Sequence, residues 1–275
     1  MRAAAVQLNS NEDKDRNLAT AERLTRAAAT DGAELVVLPE KFNVLGTHEH
    51  YEAGAETLEG TTIEWARALA RELGIDLVAG SIVERREGRE RLGNTSVHVG
   101  PDGELRGVYR KIHMFDVTVE GKEYRESTSQ EAGDEIVTSE AEGARLGLTV
   151  CYDLRFPELY RILAIRGARI LTVPAAFTKH TGRAHWDTLL RARAIENQAF
   201  VIAADQIGVH PPDNESFGGS QILDPWGDVL TRARDEETFV AADLDLGRQD
   251  EVREALPSLA NRVPSAYRWP QEVQV

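Results

Sequence analysis

Cysteine is nearly absent from this sequence: Cys151 is the only one in 275 residues. A single thiol excludes an intramolecular disulfide and any Cys-x-x-Cys pair, and it agrees with a reducing compartment. Long apolar runs are missing as well. No window approaches the ~18 apolar residues of a membrane span. The opening segment Met1 to Ser10 is too short in apolar residues for a signal peptide and reads as a strand. A cytoplasmic location is therefore expected. Basic charge is in deficit, with 32 Lys and Arg against 46 Asp and Glu and a net charge of −14. That balance opposes nucleic acid or an anionic membrane as partner, since both need a basic face. It leaves open a small anionic substrate, which feels only the local field of a pocket.

Nucleotide signatures are lacking too. There is no Gly-x-x-x-x-Gly-Lys loop, and no Gly-x-Gly-x-x-Gly follows a strand. His48-Glu-His50 is the only close histidine pair, and no third metal ligand is indicated beside it. Asn94-Thr-Ser96 matches a glycosylation acceptor, which is idle in a cytosolic chain.

What is present is an ordinary soluble composition and a steady alternation of strand and helix signals. Hydrophobic residues make up 41% and charged residues 28%, in a chain long enough to bury a large core. Strands are expected at Ala3 to Leu8, Glu34 to Leu38, Ile75 to Glu84, Asn94 to Val99 and Glu104 to Tyr109. A helix is expected from Asn17 to Ala29. Another opens at Thr61-Thr-Ile-Glu64, which has the form of a capping box. From Lys111 to Glu140 the chain is polar and irregular, longer than a plain connection needs to be. The alternation then resumes: a strand to Cys151, a helix from Pro157 to Arg166, a strand from Ala168 to Val173, a helix from His185 to Gln198 and a strand from Phe200 to Asp205. Gly219 to Leu230 reads as strand, turn, strand, followed by a strand at Phe239 to Asp245 and a short helix at Arg248 to Leu256.

The segment Ala33-Glu-Leu-Val-Val-Leu-Pro39 is echoed by Ala168-Arg-Ile-Leu-Thr-Val-Pro174. Two similar halves of this kind predict an α/β fold of two mixed sheets packed face to face, helices outside: a four-layer α-β-β-α sandwich with pseudo-symmetric halves. No Gly/Ser or Pro linker divides the halves. A single domain over residues 1–275 is expected, its last ~15 residues a Pro- and Arg-containing tail.

Three residues stand where a strand ends. The apolar run Leu146 to Val150 leads straight into Cys151, and Pro157 and Glu158 suit the first turn of a following helix. That is a good way to present a nucleophile, although free cysteine is also common as buried filler. Glu40 follows Pro39 at the edge of a buried strand, either as a chemical carboxylate or as a cap on the next turn. Lys111 lies where a strand meets the irregular segment, a place where lysine is most often solvated.

Together these residues resemble the nitrilase, or carbon–nitrogen hydrolase, superfamily. The motifs that carry the resemblance are Leu38-Pro-Glu-Lys-Phe42, Tyr109-Arg-Lys-Ile-His113 and Val150-Cys-Tyr-Asp-Leu-Arg-Phe-Pro-Glu158. Gly182-Arg-Ala-His-Trp186, Leu190-Arg-Ala-Arg-Ala-Ile-Glu-Asn197 and Asp224-Pro-Trp-Gly227 extend it over nearly the whole chain. The strings around Cys151 and Trp186 look most like the omega-amidase and deaminated-glutathione amidase group. The resemblance implies hydrolysis of a small amide through a cysteine thioester, with loss of ammonia and with no metal or organic cofactor. A nitrilase, a carbamoyl amidohydrolase or an inactive interaction protein of the same fold are the alternatives, as is a cysteine hydrolase using His113 or His185 as base.

The same resemblance implies the roles. Cys151 would be the nucleophile, Glu40 the general base and Lys111 an oxyanion donor joined by the backbone N–H of Tyr152. Glu126, with Glu123 as competitor, would be a second glutamate orienting Lys111. Arg155 would grip a substrate carboxylate or else pair with Asp153 or Glu158. Phe177 falls in the segment expected to shape specificity. His185, Trp186, Arg191, Arg193 and Glu196 would support the site or a subunit contact, and a homodimer or larger assembly is implied.

Overall fold

The computed structural model describes residues 1–267, and residues 268–275 of the expected tail lie outside the described residues. The first sheet runs Thr238–Asp243, Arg2–Gln7, Leu35–Val37, Asp76–Val78, Gly93–Val99, Ile82–Glu84, and Leu105–Arg110 adds to Gly93–Val99. The second runs Val229–Arg232, Gln221–Leu223, Phe200–Asp205, Ile170–Ala175, Ala144–Leu148, Thr138–Ala141. Each contains a parallel trio with antiparallel neighbours. In the first sheet the trio is Arg2–Gln7, Leu35–Val37 and Asp76–Val78. In the second it is Ala144–Leu148, Ile170–Ala175 and Phe200–Asp205. The two segments that echo each other in sequence are the middle strands of the two trios, so the echo is a structural equivalence.

The helices are α1 (Lys14–Thr30), α2 (His48–Gly54), α3 (Thr61–Leu73), α4 (Pro157–Ile165), α5 (Lys179–Asn197) and α6 (Leu246–Ala255). Strand alternation sorts the first sheet's side chains into two cores. Ala4, Val6, Val36, Leu38 and Leu77 pack under α1 and α3, whereas Ala3, Ala5, Leu35, Val37 and Val78 face the second sheet. The parallel strands of the second sheet are buried on both faces, as their unbroken apolar runs require, with α4 and α5 outside. The layers are therefore α-β-β-α, as expected. Among the described residues no helix is long and apolar enough to cross a membrane.

Several local expectations need correction. Gly60, not Thr61, is the N-cap of α3, and the Glu56 carboxylate accepts from Thr62 N at 2.8 Å, so an acidic side chain from outside the helix replaces the expected capping box. The expected strand Ile75 to Glu84 is broken at Gly80. Its φ is +42°, and a Cβ there would lie 1.9 Å from the Pro39 carbonyl oxygen, so only glycine lets the two strand ends beside Glu40 approach. The polar stretch after Lys111 contains a hairpin, Asp116–Val119 with Lys122–Arg125, then a short 3₁₀ turn at Glu126–Thr128. Helix α5 starts six residues before the expected His185. His48-Glu-His50 forms the start of α2, where His50 Nδ1 accepts from Thr47 N at 3.2 Å.

Candidate active site

The equivalent ends of the parallel strands converge on a cavity of about 330 Å³ whose lining includes Glu40, Lys111, Cys151, Tyr152 and Phe177. Glu40 follows the middle strand of the first sheet and is 3% exposed. Its Oε1 accepts from Lys111 Nζ at 3.1 Å and from Asn94 Nδ2 at 2.7 Å. Its Oε2 accepts at 2.9 Å from the backbone N–H of Ala176, which lies past the middle strand of the second sheet. The two halves thus meet at this carboxylate, and Gln206 tightens the seam by donating to the Glu40 carbonyl at 3.0 Å.

Cys151 opens a 3₁₀ turn, Cys151–Arg155, with φ +50°, a left-handed conformation that a non-glycine residue holds only when its surroundings enforce it. The buried Asp153 carboxylate supplies that constraint. Its Oδ2 accepts from Val150 N at 2.8 Å and from the Tyr109 hydroxyl at 2.7 Å, and its Oδ1 bonds His113 Nδ1 at 2.7 Å. Arg193 braces the same turn by donating twice to the Leu154 carbonyl, at 2.7 and 3.0 Å. Burial, and then the negative charge of Glu40, push the Cys151 thiol well above its ordinary range, and Lys111 opposes this only in part. The resting sulfur is therefore a protonated thiol with a carboxylate beside it, an arrangement that calls for a base at the moment of attack.

Glu126 has the densest set of partners. Lys111 Nζ at 2.7 Å and Phe115 N at 2.9 Å donate to Oε2, while Lys41 Nζ at 3.3 Å and Asn94 Nδ2 at 3.2 Å donate to Oε1. With its amide nitrogen turned toward Glu126, Gln130 adds a fifth donor at 3.1 Å. Burial alone would raise this carboxyl, but Lys111 and Lys41 outweigh it and hold Glu126 far below the usual carboxylate range. Burial likewise works against the Lys111 ammonium, yet Glu126 and Glu40 keep it well above its ordinary value. Two of the three Lys111 N–H groups are taken by these carboxylates, which leaves one for a substrate oxygen.

The structure thus brings Glu40, Lys111, Cys151, Glu126, Tyr152 and Phe177 together. Glu123 also lines the cavity, but it pairs with Arg125 and makes no contact with Lys111 among the described residues. Arg155 lies outside the lining. Its guanidinium sits 5.1 Å from the Phe177 ring centre and 3.2 Å from His185 Nδ1, and it pairs with neither Asp153 nor Glu158 among the described residues. His113 and His185 also lie outside the lining, His113 stacked on Phe156 at 3.6 Å. Among the described residues no group of three or more His, Cys, Asp or Glu side chains could hold a metal ion.

Sequence reasoning missed Lys41, Gln130, Asp205 and the role of Asn94. The glycosylation match at Asn94 is a fully buried strand residue whose amide bridges both glutamates. Four consecutive polar or small residues, Gly93 to Ser96, inside a strand was the available signal. Asp205 is wholly buried, accepts from Phe177 N at 2.8 Å on one oxygen and leaves the other without a partner. Burial pushes its carboxyl well above the usual range.

The family model for carbon–nitrogen hydrolases matches residues 2–254, and the chain belongs to that family. It is 40% identical over 267 residues to the omega-amidase of Mus musculus, covering 97% of this chain and 96% of that protein. It is also 40% identical over 266 residues to the deaminated glutathione amidase of a Synechocystis strain, covering 95% and 97%. Among solved structures, the Caenorhabditis elegans NitFhit protein superposes with a TM-score of 0.90 at 36% identity, over 97% of this chain and 66% of that one. A glutamate-to-glutamine mutant of the amidase from Nesterenkonia sp. AN1, with acrylamide added at its active-site cysteine, superposes with a TM-score of 0.77 at 27% identity over 94% and 98%. The protein is an enzyme that hydrolyses carbon–nitrogen bonds.

Proposed function

We propose that the chain is an amidase that cleaves a small carboxylate-bearing amide, of the ω-amide or deaminated-glutathione type, through a thioester on Cys151. The observation that carries this reading is the convergence of the buried thiol with Glu40 and Lys111, whose Nζ and Oε1 are 3.1 Å apart. Glu40 takes the thiol proton as the sulfur attacks the amide carbon. The developing oxyanion receives the free N–H of Lys111 and the backbone N–H of Tyr152. Collapse of the tetrahedral intermediate expels ammonia, which leaves with the proton held by Glu40. Glu40 then deprotonates a water that attacks the thioester, and the carboxylic acid and free thiol return. Glu126 holds Lys111 in place throughout.

The substrate class rests on the amidase relatives; the lining cations Lys122 and Arg125 are already paired, with Asp213 and Glu123 respectively, and add no free charge for a substrate carboxylate. Arg155 stacks over Phe177 and Tyr152 in this reading, next to the lining rather than on it. The enzyme works in a reducing, cytoplasmic setting as a homodimer or larger assembly. Ile162 and Ile165 of α4, Ile195 of α5 and Trp226 are 37–57% exposed on the helical face over the second sheet, which suits a subunit contact. Sedimentation tests the assembly. The activity is tested by ammonia release from 2-oxoglutaramate, deaminated glutathione, carbamoyl amino acids and nitriles. Turnover of the first two is expected, and silence across the panel from folded protein would sink the reading.

A further inference from the structure

We propose that Lys41 is a positioning residue of this reaction: by neutralising one oxygen of Glu126, it frees the Lys111 ammonium on the other oxygen to serve the substrate oxyanion. The inference rests on the amidase reading above. Lys41 follows Glu40 directly and is 7% exposed. Its backbone holds φ +51°, fixed by its N–H donating to Ser81 Oγ at 2.9 Å, so the chain adopts a left-handed conformation to turn this side chain inward. All three ammonium protons have a destination. Glu126 Oε1 lies at 3.3 Å, the Gln130 side-chain oxygen at 3.1 Å, and the centre of the Tyr51 ring at 4.6 Å. Burial disfavours the charge, but Tyr51, Glu126 and Glu40 overcome it and hold the ammonium above its ordinary value.

The charge balance follows from these contacts. Glu40 and Glu126 carry two negative charges, Lys41 and Lys111 two positive ones, and the resting thiol none. With Lys41 the cluster is neutral before the reaction creates an anion. Without it, an uncompensated carboxylate faces both the thiolate and the tetrahedral oxyanion, and Lys111 is drawn toward Glu126. Lys41 borders the cavity, but its three donors are spent on Glu126, Gln130 and Tyr51, which leaves none for a reacting atom. Its effect passes through Glu126 and Lys111.

The test compares Lys41→Gln, Lys41→Met and Lys41→Arg in the full chain, each checked by thermal melting. Lys41→Gln keeps an N–H for Glu126 without the charge, and so stands in if Lys41→Met does not fold. Two readouts are taken across pH: steady-state turnover of the best amide of the panel, and alkylation of Cys151 by iodoacetamide followed by intact mass. The second needs no substrate, so it answers even if no amide of the panel is hydrolysed. The other titratable or charged groups around Lys41 and Cys151 are Glu40, Lys111, Glu126, Tyr51, Tyr160 and Asp205, and none of them changes. In the two neutral variants kcat should fall ~10- to 100-fold with KM nearly constant, as loss of a supporting partner does. The acid limb of kcat/KM and the alkylation profile should move up by about one pH unit, because anions in the site lose a positive neighbour. Lys41→Arg should restore both profiles. A folded Lys41→Gln with wild-type kcat and unmoved profiles would overturn the proposal, as would a Lys41→Arg profile shifted as far as that of Lys41→Met.

Discussion

The strand ends of the first sheet bring ions to the cavity, whereas those of the second bring a thiol, backbone donors and a carboxyl with no counter-charge. Glu40, Lys41 and Lys111 lie on or just after first-sheet strands, with Asn94 inside one, and every charge among them has an opposite charge or amide within hydrogen-bond reach. Cys151, Ala176, Phe177 and Asp205 come from equivalent places in the second sheet; there Asp153 is fully bonded within the nucleophile turn, while Asp205 is left half-satisfied. Neither half contains a complete reaction centre. A thiol raised by burial is inert alone, and an ion cluster without a nucleophile is only a buried network. The proposed chemistry belongs to the seam, where one glutamate accepts from a lysine of its own sheet and from a backbone N–H of the other.

This division can be broken from either side. Cys151→Ala removes the only group of the second sheet that bonds to substrate in the proposed reaction. Ammonia release should drop by more than ~10⁴-fold, as for loss of a nucleophile in a concerted unit, with a melting temperature close to wild type. A large loss of folding instead would make the thiol a packing residue. Lys111→Met attacks the other side: turnover should fall ~10²-fold or more, the effect of losing an oxyanion donor. Because Glu40 and Glu126 would then lie buried with less counter-charge, stability should fall by ~3–5 kcal/mol as well, visible in denaturant unfolding. Lys111→Met with a wild-type rate would remove this lysine from the mechanism. Asp153→Ala should have a smaller effect on rate, about tenfold, by loosening the turn that presents the sulfur. It strands the Tyr109 hydroxyl and Val150 N–H, each an unsatisfied buried donor worth ~1–3 kcal/mol. Since Tyr109 and His113 belong to the first half and Val150 to the second, this variant tests whether the nucleophile turn is held across the seam.

How much of this was legible in the sequence follows the same line. Strand-ending residues with distinctive neighbours, Pro39-Glu40 and Val150-Cys151, could be read because apolar runs and a proline mark where a strand stops. Glu126 was expected from the family's second glutamate after the lysine, and Phe177 only as part of a segment expected to shape specificity; both line the cavity. The partners that make the glutamates work could not be read so. Asn94 sits 54 residues from Glu40, and its amide has meaning only once two strands are paired. Lys41 looked like any surface lysine, since nothing local reveals that its backbone turns left-handed and points the ammonium inward. The break at Gly80 was hidden for the same reason, because its cause is the Pro39 carbonyl of another strand. The direction of Arg155, over the Tyr152 and Phe177 rings, could not be read because sequence adjacency to the nucleophile says little about direction in a tight 3₁₀ turn.

The two buried carboxyls sharpen the comparison most finely, since their shifts oppose each other. Glu126 is depressed by Lys111 and Lys41, so its unfolded form takes up a proton near 4.5 while the folded form does not. Its contribution to stability is present above that pH and is lost as pH falls below it. Asp205 is raised by burial and by Glu40, so above 3.8 the unfolded chain gives up a proton that the folded chain keeps. Its penalty therefore grows as pH rises above 3.8 and levels off only at the raised folded value. Glu126→Gln should flatten the loss of melting temperature below pH 4.5, at the expense of turnover. Asp205→Asn should raise the melting temperature at pH 8 and leave it unchanged near pH 4, a gain of ~2–4 °C for each kcal/mol relieved in a chain of this size. Equal melting curves for Asp205→Asn and wild type at pH 8 would mean that this acid ionises in the fold without a penalty, and that the second sheet carries a buried charge behind Phe177 N–H after all.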